Sequence, residues 1–181
     1  MRNIFFLFSL MLFSACSSVG PAQDDTGKRT FGTKLDDRNT AILIKKNLNA
    51  GNEAFDSAHI EISVFNGVAL LTGQIDNQTL FDQASKIANQ IRHVSKVHNE
   101  LQIAGPTSLL VRTSDSLLKT KIKTKMAFDN QVDANRIKVV VENGVVYLMG
   151  LLTRDEAKLA LELTRKSFGV QKIVQAFEYL N

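Results

Sequence analysis

The sequence predicts an α+β protein built from two tandem copies of one small unit, each running α-β-β-α-β, with two helices packed on a three-stranded sheet. Three observations carry this expectation. Residues 60–73 (IEISVFNGVALLTG) and 137–150 (IKVVVENGVVYLMG) repeat at an offset of 77 without a gap. Both contain Asn-Gly between two apolar runs of period two, which is the signal of a tight hairpin. Both are flanked by stretches of helical period, and a repeat on this scale marks a duplicated supersecondary unit.

The elements follow in order. Before the first hairpin, Ile44 and Leu48 stand four apart with Ala41 behind them; before the second, Leu118, Ile122 and Met126 form one helical stripe. Ile60, Ile62 and Val64, and likewise Ile137, Val139 and Val141, alternate as β-branched residues do on a half-buried strand. Asn66-Gly67 and Asn143-Gly144 each call for two successive positive φ angles, the requirement of a type I′ turn. Val68, Leu70 and Thr72, and Val145, Tyr147 and Met149, then return as partner strands. Gly73 and Gly150 are expected to end them through a close approach or an unusual backbone angle. The next helices are marked by Leu80, Ala84, Ile87, Ala88 and Ile91, and by Ala157, Ala160, Leu161 and Thr164. The second of them opens on a capping-box pattern, Thr153 with Glu156. Val97, Leu101 and Ile103 mark one closing strand, and Ile173, Phe177 and Tyr179 the other. The resulting domains span 36–104 and 113–181. The linker 105–112 is punctuated by Gly105-Pro106-Thr107-Ser108. A unit of about 70 residues lies near the lower size limit for an unaided core, so mutual support of the copies is expected, with Leu109, Leu110 and Val111 as its candidate contact.

Residues 1–15 are built differently. Arg2 gives a positive start, Ile4 to Phe13 is apolar apart from Ser9, and Ser14 and Ala15 precede the sole cysteine, Cys16. This is the plan of a secretory signal peptide, too short in its apolar part to span a bilayer. Phe13-Ser14-Ala15-Cys16 resembles a bacterial lipobox, which implies cleavage before Cys16 and its acylation. Ser17 follows, and the resemblance then implies passage to the outer membrane. Residues 16–35 are rich in Ser, Gly, Asp, Lys and Thr without apolar period, and read as a flexible tether.

Charge is unevenly divided. Residues 36–104 hold 6 Lys and Arg against 8 Asp and Glu, whereas 112–181 hold 12 against 8. The basic excess is sharpest in Leu117-Leu118-Lys119-Thr120-Lys121-Ile122-Lys123-Thr124-Lys125-Met126, which has four lysines and no acid. On a helix Leu118, Ile122 and Met126 face inward. Lys121 and Lys125 flank them on one side and Lys119 and Lys123 on the other. Leu117, Thr120, Thr124 and Phe128 look outward. Ammoniums beside exposed apolar side chains suit an anionic bilayer surface. A lysine-rich face is also an ordinary solvated surface, and one exposed leucine means little alone.

The runs from Val64-Phe65-Asn66-Gly67-Val68 to Gly73 and from Val141-Glu142-Asn143-Gly144-Val145 to Gly150, with their flanking helices, resemble the BON domain (bacterial OsmY and nodulation). A lipobox followed by two such copies resembles the DolP (YraP) group of outer-membrane lipoproteins. The resemblance covers nearly the whole chain and is especially close over Glu142 to Leu151. It implies a lipid-anchored protein on the periplasmic face of the outer membrane. It also implies binding of anionic phospholipids (phosphatidylglycerol or cardiolipin) through the second domain, a part in envelope integrity near division sites, and no catalysis. Where that group usually carries an aromatic residue, this chain has Leu117.

No catalytic or cofactor motif stands out: there is no P-loop, G-x-S-x-G or G-x-G-x-x-G. His93 and His98 are poorly spaced for a metal, and Asp36-Asp37, like Asp24-Asp25, reads as solvated. The expectation is no cofactor, no metal and no nucleic-acid partner. The alternative function is a periplasmic protein-binding scaffold, serving outer-membrane assembly or cell-wall amidase regulation, with the acidic first copy as its contact.

Overall fold

The computed structural model describes residues 27–180; the expected signal peptide, Cys16 and most of the expected tether lie outside them. The first repeat contains helix α1 (Phe31–Gly51), a single turn α2 (Ala54–Ser57), strands β1 (Ile60–Phe65) and β2 (Val68–Ile75), helix α3 (Gln78–Asn89) and strand β3 (Lys96–Ile103). The second contains α4 (Leu109–Ala127), β4 (Ile137–Glu142), β5 (Val145–Leu152), α5 (Arg154–Arg165) and β6 (Lys172–Tyr179). The α+β architecture, with its two α-β-β-α-β units, is therefore as the sequence predicts.

Each sheet has the longer hairpin strand in the middle, in the orders β1-β2-β3 and β4-β5-β6. Phe65 faces Val68 and Glu142 faces Val145, so each hairpin closes through two residues. Asn66 and Gly67 take φ of 51° and 78°, and Asn143 and Gly144 take 49° and 72°, as a type I′ turn requires. The third strand runs parallel to the second, and α3 or α5 provides the crossover that parallel pairing needs. Asn77 caps α3, and Thr153 with Glu156 completes the expected capping box of α5.

Gly73 and Gly150 do not end their strands, which run two residues further. Their purpose is close approach. A Cβ on Gly73 would stand 1.9 Å from the His59 carbonyl oxygen, and one on Gly150 would stand 2.7 Å from that of Arg136. Only Gly73 also has a positive φ, of 121°.

Period two divides each central strand between two cores. Val64, Ala69 and Leu71 point to α1 and α3, meeting Ile44, Leu48, Leu80 and Ala84. Val139, Val141, Val146 and Leu148 meet Leu118, Ile122, Met126 and Ala160 in the same way. The opposite faces of the two sheets pack on each other, Phe65, Val68 and Leu70 against Val140, Tyr147, Met149 and Ala176. The order of layers is helix, sheet, sheet, helix. This third core explains why every residue of β2 is buried. Tyr147 sits there with its hydroxyl pKa pushed up to about 12, by burial first and then by Glu100 and Glu142.

Several polar groups trapped at this interface are paired across it, whereas the fully buried Thr72 hydroxyl has no hydrogen-bond partner. Gln74 donates through Nε2 to Glu142 Oε1 at 2.7 Å, and its Oε1 accepts from the Thr107 amide at 3.1 Å. Asn66 Nδ2 donates to Glu178 Oε2 at 2.9 Å. One glutamine thus ties together both domains and the connector.

Two expectations change here. The connector does not supply the contact between copies: Leu109 and Leu110 open α4 and are 79% and 83% exposed. Nor does the tether extend to residue 35. Helix α1 starts at Phe31, and the residues before it lie across the seam, with Lys28 Nζ 3.5 Å from Asp133 of the second repeat and Arg29 bonded to Asp37 of the first.

Truncation in the third core is expected to weaken the whole chain. Leu70→Ala, at a fully buried position that faces the other sheet, should cost about 2–5 kcal/mol in urea unfolding. A loss under about 1 kcal/mol would mean that the sheets do not bury one another in solution.

Candidate functional site

The placement of the lysine helix α4 starts from its one buried carboxylate. Asp115 accepts hydrogen bonds from the amides of Asn143 at 2.7 Å and Gly144 at 2.9 Å. A type I′ turn points two amides outward with no strand to receive them, and a carboxylate with two oxygens satisfies both. Asp37 does the same in the first repeat, accepting from Asn66 at 2.9 Å and Gly67 at 3.0 Å. Asp37 is therefore not the solvated residue expected from Asp36-Asp37. It is 5% exposed and is also bonded by Arg29, whose guanidinium lies 3.6 Å over the Phe65 ring. The clamp fixes both the rotation and the axial position of each opening helix.

With α4 so fixed, Leu118, Ile122 and Met126 are buried as expected, and the other side chains sort onto distinct faces. Leu117 is 68% exposed. Beside it, in the turn after α5, stands Phe168, 90% exposed, with Lys121 Nζ 5.9 Å from its ring centroid. These three residues rim an open cleft of about 310 Å³ whose floor includes Leu118 and Gly144. Leu110, Leu117, Lys121 and Phe128 recur at spacings of 7, 4 and 7, which returns to nearly the same side of a helix each time. The outward band is thus leucine, leucine, lysine and phenylalanine, with Phe168 alongside.

The other predicted residues are placed as follows. Lys125 Nζ donates to the Lys166 carbonyl at 2.9 Å, at the C-terminal end of α5, where a cation satisfies an orphaned acceptor. Thr120 donates its hydroxyl to the Ser116 carbonyl, and both Thr120 and Thr124 are exposed. Lys119 and Lys123 turn to the opposite side, toward the first repeat, where Lys119 Nζ lies 3.9 Å from Glu61. The four lysines thus lie on two sides of the helix, as its period predicts, with Lys119 and Lys123 on the side toward the first repeat.

Phe168 and Leu110 escaped the sequence reading. The signal for Phe168 lay in the duplication: counted from the helix starts at Gln78 and Arg154, its counterpart is Arg92, so a charge in one copy stands where the other exposes an aromatic. Leu110 stands seven residues before Leu117 and was read as connector. Among the described residues no three His, Cys, Asp or Glu side chains gather into a group that could hold a metal ion.

A duplicated α-β-β-α-β unit with this turn is the architecture of a BON-domain protein, and BON domains match residues 36–105 and 114–181. The chain belongs to the BON-domain family. It is 33% identical over 156 residues to the outer membrane lipoprotein DolP of Haemophilus influenzae, a match covering 86% of this chain and 81% of that one. It is 30% identical to a 21 kDa hemolysin of Actinobacillus pleuropneumoniae, over 84% of this chain and 78% of the relative. The osmotically-inducible protein Y of Escherichia coli matches at 24% identity, over 82% of this chain and 75% of the relative.

Removing the clamp should loosen the site selectively. Asp115→Ala leaves two turn amides without their acceptor and is expected to cost about 2 kcal/mol, with faster amide hydrogen exchange at Asn143 and Gly144. Asp115→Asn, which retains one acceptor oxygen, should lose less. Unchanged exchange at both amides in the alanine variant would show that the carboxylate does not hold the turn.

Proposed function

We propose that the chain is a lipid-anchored envelope protein, acylated at Cys16 and held on the periplasmic face of the outer membrane. There it binds anionic phospholipid, phosphatidylglycerol or cardiolipin, through the outward band of α4. Non-catalytic binding of this kind would support envelope integrity, with division sites as the place of action. The observation that carries the reading is the exposure of Leu117 and Phe168 on either side of Lys121. Two large apolar side chains around an ammonium match the chemistry of a bilayer surface, where phosphate meets the cation and the apolar groups sit below it. Similarity to a protein described as an outer membrane lipoprotein supports the location.

The duplication supplies an internal comparison. At positions equivalent to Leu117 and Lys121, counted from Asp115 and Asp37, the first repeat has Asn39 and Leu43. The same scaffold there lacks the cation and the apolar tip, so bilayer binding is assigned to the second domain alone. A second reading, a scaffold for outer-membrane assembly proteins or for amidase control, draws on Phe31, 83% exposed at the start of α1 in the acidic repeat.

The bilayer reading is tested with vesicles of phosphatidylglycerol and of phosphatidylcholine, using the mature chain. Binding is expected on the anionic vesicles only, and it should fall as salt rises. Lys121→Gln should weaken it about fivefold, the equivalent of about 1 kcal/mol for one lysine at an anionic surface. Leu117→Ser with Phe168→Ser should weaken it further without changing the melting temperature, both side chains being exposed. Equal affinity for the two vesicle types would sink the reading.

A further inference from the structure

Helices α1 and α4 overhang a groove of about 740 Å³ that runs along β1 and β4, the outer strands of the two sheets. Six cationic side chains line it, Arg29, Lys34 and Arg38 from the first repeat and Lys119, Lys123 and Lys138 from the second. The one carboxylate in the lining is that of Asp37, and its oxygens are already held by Arg29 and by two turn amides. Like charges gathered this closely repel one another. Lys138 has an ammonium pKa below the ordinary lysine value, through burial first and repulsion by Arg29 second, opposed by Asp37 and Glu61. The buried Nε–H of Arg29 has no hydrogen-bond partner. A bound anion would relieve these costs.

The groove is not purely polar. It continues into a shallow depression of about 290 Å³, sharing Ala41, Ile42 and Ile62 with it and adding Lys45, Ile60 and Glu61, whose carboxylate lies 3.9 Å from Lys119 Nζ. Ile42 is 57% exposed there. Outer strands are often guarded against unwanted pairing by a lysine, and Lys138 meets that need by donating to the Val64 carbonyl at 3.3 Å. Guarding the edge accounts for one charge. It does not account for six from both domains beside an isoleucine shelf.

We propose that this groove binds one monomeric phosphate-headed amphiphile, with its phosphate among Arg38, Lys119, Lys123 and Lys138 and its acyl chain along Ile42, Ile60 and Ile62. The site differs from the bilayer-facing band in residues and in what it takes. The band rests on a lipid surface, whereas the groove holds a single molecule, with its phosphate between the two repeats and its chain laid along the open isoleucine shelf. Because only both repeats together form the cationic end, the site exists through the packing of the two sheets.

The test uses the mature chain and dihexanoyl phosphatidylglycerol below its micelle concentration, followed by amide chemical shifts. Saturable binding of one molecule is expected, with shifts at Ile62, Lys138 and Val139. Arg38→Glu with Lys123→Glu, both at exposed positions, should weaken it at least about tenfold. Ile42→Ser should weaken it a few-fold. Leu117→Ser with Phe168→Ser should bind this monomer as the parent does while losing vesicles, so failure of the groove and failure of the bilayer reading are told apart. Inorganic phosphate and dihexanoyl phosphatidylcholine serve as the other arms. Phosphate binding as tightly as the lipid would overturn the amphiphile. Shifts confined to Leu117 and Phe168, or no response to the double charge reversal, would overturn the site.

Discussion

Two helices can cover only one face of a three-stranded sheet, so the other face has to be buried by something else. In this chain that cover is the other copy. Phe65, Val68 and Leu70 meet Val140, Tyr147, Met149 and Ala176, and the remaining organisation depends on that contact. At about 1.5–3 kcal/mol for each large side chain taken fully from water, its worth is comparable to the whole stability of a small domain. The contact also brings β1 beside β4, which places α1 next to α4 and creates the seam between them.

The aspartate clamps connect this packing to the surface. Each hairpin turn has two amides that no strand can use, and each opening helix presents one carboxylate to receive them. Because the bonds join residues 28 or more apart, the helix cannot roll on its sheet without breaking them. That is why Leu117, two residues beyond Asp115, is held outward, and why Lys119 and Lys121 point to opposite sides. A scaffold contact made in both copies thus leaves the exposed positions free to differ. Asn39 and Leu43 stand in the first copy where Leu117 and Lys121 stand in the second.

What the sequence revealed and what it concealed have separate physical reasons. Local geometry was legible. Asn-Gly twice at positive φ, alternation in β1 and β4, and Thr153 with Glu156 each depend on residues within a few positions. The outward placement of Leu117 followed from the helical period. Contacts between distant segments were not legible. Asp37 reads as solvated because its two partners are amides, which carry no residue type to recognise. Leu109 and Leu110 read as a domain contact because they are apolar, yet the true contact uses the alternate residues of strands whose other residues already account for a core. Whether a period-two strand is buried on one side or both is settled by what packs on it. The Val-Ala-Leu-Leu run at residues 68–71, apolar on both faces, was the trace of that second core.

The proposed acyl chain at Cys16 would change how weak contacts on the folded part have to be judged. A band of two exposed apolar side chains and one ammonium, if it meets a bilayer as proposed, would give modest affinity to a free protein. For a protein already confined to the surface, the same band encounters lipid at high effective concentration, and small differences in lipid charge then decide its occupancy. The placement of the other lysines bears on this proposal. Lys125 is engaged by the end of α5, and Lys119 and Lys123 face the seam, so Lys121 is the one cation of the Lys119–Lys125 cluster set between the exposed apolar tips. On the proposed reading, attachment would fall to the anchor, and discrimination among lipids to α4 and its neighbours. Such a division of labour needs the second domain to hold a fixed attitude toward the first, and the sheet-to-sheet core provides it.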